Sequence, residues 1–158
     1  MTSFTHILVP TDFGEAADRA LDFAIDIASK FDAKLTVFHV SGVPAFAYAF
    51  YAEGLSWPTN EMTRGATTEL DTFLHGVKER YPKAEGVVVS GEPWLAILEA
   101  AKKQGADLIV MGTHGRRGIS RVLLGSVAEK VVRLSPVPVL TISGKADQMA
   151  KEKALSTP

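Results

Sequence analysis

Short apolar runs alternate with longer amphipathic stretches along most of the chain. Residues 4–9, FTHILV, are rich in β-branched and aromatic types and stop at Pro10, which predicts a strand. From Asp12 onward, Ala16, Ala20, Phe23, Ala24, Ile27 and Phe31 recur at three- and four-residue spacings. Asp18, Arg19, Asp22, Asp26 and Lys30 fill the other side, the pattern of an amphipathic helix. A strand is predicted over 35–40. Met62, Ala66, Leu70, Phe73, Leu74, Val77 and Tyr81 mark a further helix, stopped by Pro82. A strand follows over 86–89, then a helix opening at Pro93, with Leu95, Ile97, Leu98 and Ala101 apolar and Gly105 at its end. Residues 107–111 predict a strand, 127–134 a helix and 137–142 a last strand. The polar stretch 145–158 has no apolar face and is expected to fray.

Nearly continuous apolar strands separated by helices imply an α/β fold, a parallel sheet covered on both faces. The 158 residues suit one domain over 1–144 followed by the tail. Pro136 and Pro138 lie two apart, so their missing N–H groups fall on one side of the last strand and place it at the sheet border. Its outer edge is then expected to offer the N–H groups of Leu140 and Ile142 to a partner strand.

A formal charge of −1 argues against a nucleic-acid or membrane-surface partner, which a strong basic excess would mark. No cysteine is present, so disulfides and thiolate metal sites are excluded. The start, MTSFTHILVPTD, has neither a basic leader nor a long apolar run, and a cytoplasmic protein is expected.

Ligands of open α/β sheets bind beyond the carboxyl ends of strands, where strand order reverses. Two loops there carry suitable chemistry: Pro10-Thr11-Asp12, and the glycine-rich 112–126, GTHGRRGISRVLLGS. The second joins a strand to a helix start, where backbone N–H groups can hold a phosphate. Glycine suits such a loop through its access to positive φ and its close approach to a ligand. Gly112, Gly115, Gly125 and Ser126 set the frame G-x2-G-x9-G-S. That is neither G-x-G-x-x-G nor the Walker pattern.

VPTDFGEAADRAL, GEPWLAILEAAKKQGADLIVMGTHGRRG and LLGSVAEKVVRLSPVPVLTI together resemble the universal stress protein family over about residues 4–143. The glycine–serine frame is that of its ATP-binding branch. The resemblance implies a Rossmann-like sheet of order 3-2-1-4-5, akin to the adenine nucleotide alpha hydrolases, and a homodimer built through strand 137–142. It implies ATP as ligand, with Asp12 and Val40 at the adenosine and Met111, Gly112, Gly115, Gly125, Ser126 and Val127 around ribose and phosphates. Phe13-Gly14 stands where many members have Gly-Ser.

Plainer roles compete with these. Ser126 with Glu129, and Asp12 with Glu15, fit capping boxes. Arg116, Arg117 and Arg121 suit phosphate pairing, yet arginines are common on surface loops. His114 reads first as an exposed loop residue, His39 as a packed strand residue, and His6, His39 and His75 lack metal-ligand spacing. Asp12 is a candidate to help hold Mg²⁺ on a triphosphate, though a hydrogen bond or a cap is preferred. Residues 43–57 hold five aromatics, suiting either a lid or partner surface, or a segment folded onto the core. Without a G-x-S-x-G elbow or an H-E-x-x-H motif, holding ATP is a better expectation than rapid cleavage. A slow ATPase using Asp12 or His114, and an interaction scaffold with an empty loop, are the alternatives.

Overall fold

The computed structural model describes residues 2–44, 46–114 and 124–156. Five parallel strands form one sheet: β1 (His6–Pro10), β2 (Lys34–Ser41), β3 (Ala84–Ser90), β4 (Leu108–Gly112) and β5 (Val139–Ile142). Their order is β3-β2-β1-β4-β5, the expected one. Ile7 pairs with Leu35 on one side and Leu108 on the other, so β1 is central.

Alternate strand residues face opposite sides, which splits the core in two. Ile7, Val9, Leu35, Val37 and Val110 pack with helices α1 (Glu15–Phe31) and α3 (Thr59–Arg80). Leu8, Phe38, Ile109 and Met111 pack with α4 (Pro93–Gln104) and α5 (Ser126–Leu134) on the other face. Gly105 ends α4 at φ 68, a left-handed cap that glycine adopts without a Cβ penalty.

The buried face of α1 is rotated from the expected one. Ala17, Ala20, Leu21, Ala24, Ile25 and Ala28 are buried, whereas Phe23 and Phe31 are exposed. A mainly alanine face lets the helix axis approach the sheet closely, and bulky rings would hold it off. Phe31 instead meets Phe4 edge-on at 5.4 Å.

Three other expectations change. The aromatic segment contains a short helix, α2 (Ala47–Ala52). Only Ala47 of that helix is buried, while Phe46 and Phe50 meet the Trp57 ring edge-on at 4.9 and 5.3 Å. The segment therefore builds a small aromatic cluster of its own and does not fold onto the core. The tail is helical, α6 (Lys145–Ser156), consistent with its many Ala, Lys, Glu and Met residues. Its described large apolar residues, Met149 and Leu155, are exposed.

β5 lies at the sheet border as expected, but its inward and outward residues are exchanged. Among the described residues β5 pairs only with β4. Pro138 O accepts from Ile109 N–H at 3.0 Å and Ile142 O from Thr113 N–H at 2.9 Å, so the even-numbered residues face inward. Backbone groups of one strand residue point to one side. Pro138 thus lacks a donor toward β4 and Pro136 lies ahead of the strand, Leu140 and Ile142 are committed inward, and the outer edge presents Val139 and Thr141. Proline positions alone do not reveal which side is which; the register with β4 does.

Candidate functional site

Strand order reverses between β1 and β4, and their carboxyl ends lie side by side there. A cleft of about 400 Å³ opens at that point, within the range of small-molecule sites. Pro10, Thr11, Asp12, Val40, Met111, Gly112, Gly125, Ser126 and Val127 all line it. These nine expected residues come from four separate parts of the chain. Gly115 and Arg116, with Arg117, Gly118 and Arg121, lie outside the described residues.

The first wall is a tight turn leaving β1. Thr11 N–H donates to Phe38 O at 2.8 Å, which ties the turn to β2. Thr11 Oγ1 accepts from Phe13 N–H at 3.0 Å, and Asp12 Oδ1 accepts from Gly14 N–H at 2.8 Å. Short polar side chains commonly close turns in this way. The capping-box reading of Asp12 is corrected: the N-cap of α1 is Gly14, without a side-chain cap bond.

Phe13 sits at φ 62, a left-handed backbone that costs a non-glycine residue about 1–2 kcal/mol. Its ring meets His39 at 4.7 Å and Phe73 at 5.4 Å between centroids. Such pairs contribute about 0.5–1.5 kcal/mol each, enough to offset the strain. Glycine would take this φ freely, and the phenylalanine adds ring contacts that hold the turn.

The second wall is built from Gly112–His114 and the start of α5. Gly125 N–H donates to Thr113 O at 2.7 Å, and Thr113 N–H to Ile142 O at 2.9 Å. Gly125 is the N-cap of α5, which makes Ser126 the first helical residue and not the cap. The capping-box explanation of Ser126 therefore fails as well. The first N–H groups of a helix lack intrahelical partners and carry partial positive charge, so Ser126, Val127 and Ala128 bring an anion-favouring pole to the cleft.

Both glycines are explained by packing, not by positive φ. A Cβ on Gly112 would stand 2.8 Å from Ala16 Cβ and 2.9 Å from Ala16 C. One on Gly125, where φ is −59, would stand 2.8 Å from Thr113 O. Their absent side chains let β4 abut α1 and α5 abut the strand end. The cleft is the space these close contacts leave.

His39 is the packed β2 residue expected, and it also reaches the cleft, which was not expected. Its imidazole is half-buried and lines the cleft, with Nδ1 2.8 Å from Thr11 O. The available clue was position: the last residues of a strand flank the ligand crevice of a parallel sheet. Phe38, Pro93, Ile97 and Thr113 also line the cleft, and so does His114, whose Nδ1 is 3.2 Å from Thr113 Oγ1. His6 has no part in it. Its ring is buried between Gln104 O and Thr36 Oγ1, 3.0 and 2.8 Å away, at the opposite end of β1. Burial raises the pKa of Asp18 in the first turn of α1, helped by the charges of Asp22, Asp12 and Glu15. Among the described residues no cluster of three acidic or imidazole groups is arranged to hold a metal ion. Nor is any described helix long and apolar enough to cross a membrane.

Comparison with known proteins agrees with this architecture. The model of the universal stress protein family matches residues 3–143. Universal stress protein MJ0531 of Methanocaldococcus jannaschii is 37% identical over 141 residues, 88% of this chain and 82% of its own. The solved structure of MJ0577, from the same organism, superposes with a TM-score of 0.76 at 29% identity, covering 91% of this chain and 99% of that one. A universal stress protein solved in complex with cAMP is 30% identical, with a TM-score of 0.59 and coverage of 89% and 98%. The chain belongs to the universal stress protein family.

Proposed function

We propose that the protein binds ATP in the β1/β4 cleft and acts as a homodimer in a stress response, through a nucleotide-dependent shape with little turnover. One observation carries the reading: the cleft at the strand-order reversal joins Asp12 and Val40 to Met111, Gly112 and the α5 N-terminus. The adenosine would lie between the Thr11–Asp12 turn and Val40, with the phosphates toward Gly125, Ser126 and Val127. The family member holding cAMP supports an adenine nucleotide. The dimer would pair the outer edges of β5 through Val139 and Thr141. Asp12 would face the nucleoside, and any Mg²⁺ would accompany the phosphate oxygens.

Mass spectrometry of protein purified under gentle conditions tests the occupant, and adenine nucleotide at near one per chain is the expected result. A chain free of nucleotide that also fails to take up ATP overturns the proposal. The presence of both Asp12 and His114 in the cleft keeps slow hydrolysis as a second reading. Phosphate release at about 1 s⁻¹, the low end for ordinary enzymes, would establish it.

A further inference from the structure

Thr11 is held at every polar group of its backbone and side chain. Its N–H donates to Phe38 O at 2.8 Å, and its hydroxyl accepts from Phe13 N–H at 3.0 Å. Its carbonyl lies 2.8 Å from His39 Nδ1. A carbonyl oxygen only accepts, so Nδ1 carries the hydrogen. The same imidazole meets the Phe13 ring at 4.7 Å, and that ring sits on a left-handed backbone wedged against Phe73 of α3. The residues before and after Asp12 are thus both fixed by one side chain, which enters from the end of β2. Asp12 lines the cleft and its Oδ1 accepts from Gly14 N–H at 2.8 Å, so the Thr11–Gly14 turn sets where its carboxylate points.

Resting on the ATP-binding reading above, we propose that His39 is a positioning residue: it fixes the Thr11–Gly14 turn and so presents Asp12 to the nucleoside. The Nδ1–H anchors the Thr11 carbonyl, and the ring face seats Phe13 against α3. Phe73 extends the same contact to the buried half of α3, where Leu70, Leu74 and Val77 lie. This explains how a phenylalanine is kept at a left-handed position beside a ligand cleft.

The test uses the full chain and ATP as probe. His39→Asn places an amide N–H near the imidazole Nδ1 and retains the anchor; His39→Leu keeps apolar bulk and removes it. In nucleotide-free protein, nitrogen NMR of the wild-type imidazole should show Nδ1 bearing the hydrogen. The amide signals of Asp12, Phe13 and Gly14 should move in His39→Leu and return toward wild type in His39→Asn. Signals of Thr5 and Asp107, at the other end of the sheet, should stay in place and report an intact fold. ATP affinity should fall about ten-fold in His39→Leu and by less than about three-fold in His39→Asn. Unmoved turn amides in His39→Leu, a hydrogen on Nε2 alone, or equal losses in the two folded variants would each overturn the positioning role. If wild-type protein takes up no ATP, the nucleotide reading falls by itself, and the NMR signals alone decide the role of His39.

Discussion

Replacing Gly112 with alanine isolates the close packing that shapes the cleft. The added Cβ would stand 2.8, 2.9 and 3.0 Å from Ala16 Cβ, Ala16 C and Ala17 N, where ordinary contact begins at 3.4 Å. Two of those three atoms belong to the α1 backbone and have no rotamer in which to escape. Strand and helix must therefore part by about half an ångström or more, and overpacking of this kind costs about 1–3 kcal/mol. In a domain of this size that lowers the melting temperature by roughly 2–12 °C. Gly112 has no positive φ, so no backbone strain adds to the cost. The assay is urea and thermal unfolding of nucleotide-free protein, repeated in Ala16→Gly and the double variant. The double variant should recover only part of the loss, because Ala16 C and Ala17 N remain and a helical glycine costs about 0.5–1 kcal/mol. A Gly112→Ala protein as stable as wild type but poorer in ATP binding would refute the packing account and assign the glycine to the ligand.

Three further outcomes follow from other parts of the molecule. Asp107 accepts from Thr5 N–H at 2.8 Å, Thr5 Oγ1 at 2.7 Å and His6 N–H at 3.2 Å. Partial burial pushes its carboxyl pKa up, and these bonds outweigh that and hold it below the ordinary value. Asp107→Ala should cost about 1–3 kcal/mol near neutral pH, since the site is partly exposed. Because the folded pKa is depressed, that stabilisation is present above the unfolded value of about 3.9 and lost as pH falls through the folded value. Unfolding curves of the two proteins should therefore converge in acid; a constant gap would contradict the assignment. Asp18 has the opposite sign: its raised folded pKa means that ionisation costs stability, which returns as the carboxyl protonates. Asp18→Asn should stabilise by no more than about 0.5 kcal/mol at neutral pH, with the gain gone in acid; a loss at neutral pH would contradict this. Thr141→Pro removes an outer-edge N–H and should shift sedimentation toward monomer, whereas Leu140→Pro strikes the β4 ladder and should lower stability. A Thr141→Pro protein that stays dimeric would exclude β5 pairing as the interface.

The fold was legible because its determinants are local. Apolar runs stopped by Pro10, Pro82 and Gly105 mark element ends through backbone chemistry that tertiary context does not alter. The cleft became legible once the family resemblance supplied the strand order, which sets the ends of β1 and β4 together. What escaped depends on relations between elements. Whether Phe23 or Leu21 faces the sheet depends on how closely α1 approaches, and Gly112 and Ala16 decide that. The inward side of β5 depends on register with β4. The caps were misassigned by one residue or more because Ser126 and Asp12 carry the expected side chains, while glycines take the cap positions. His39 is a strand residue between apolar neighbours, and only its place near the strand end marks it for the cleft as well.

Calorimetric titration of nucleotide-stripped protein with ATP decides whether the β1/β4 cleft is a nucleotide site. One ATP should bind saturably per chain. No saturable heat up to about 1 mM ATP, a level matching only about 4 kcal/mol of binding free energy, at two temperatures would contradict it.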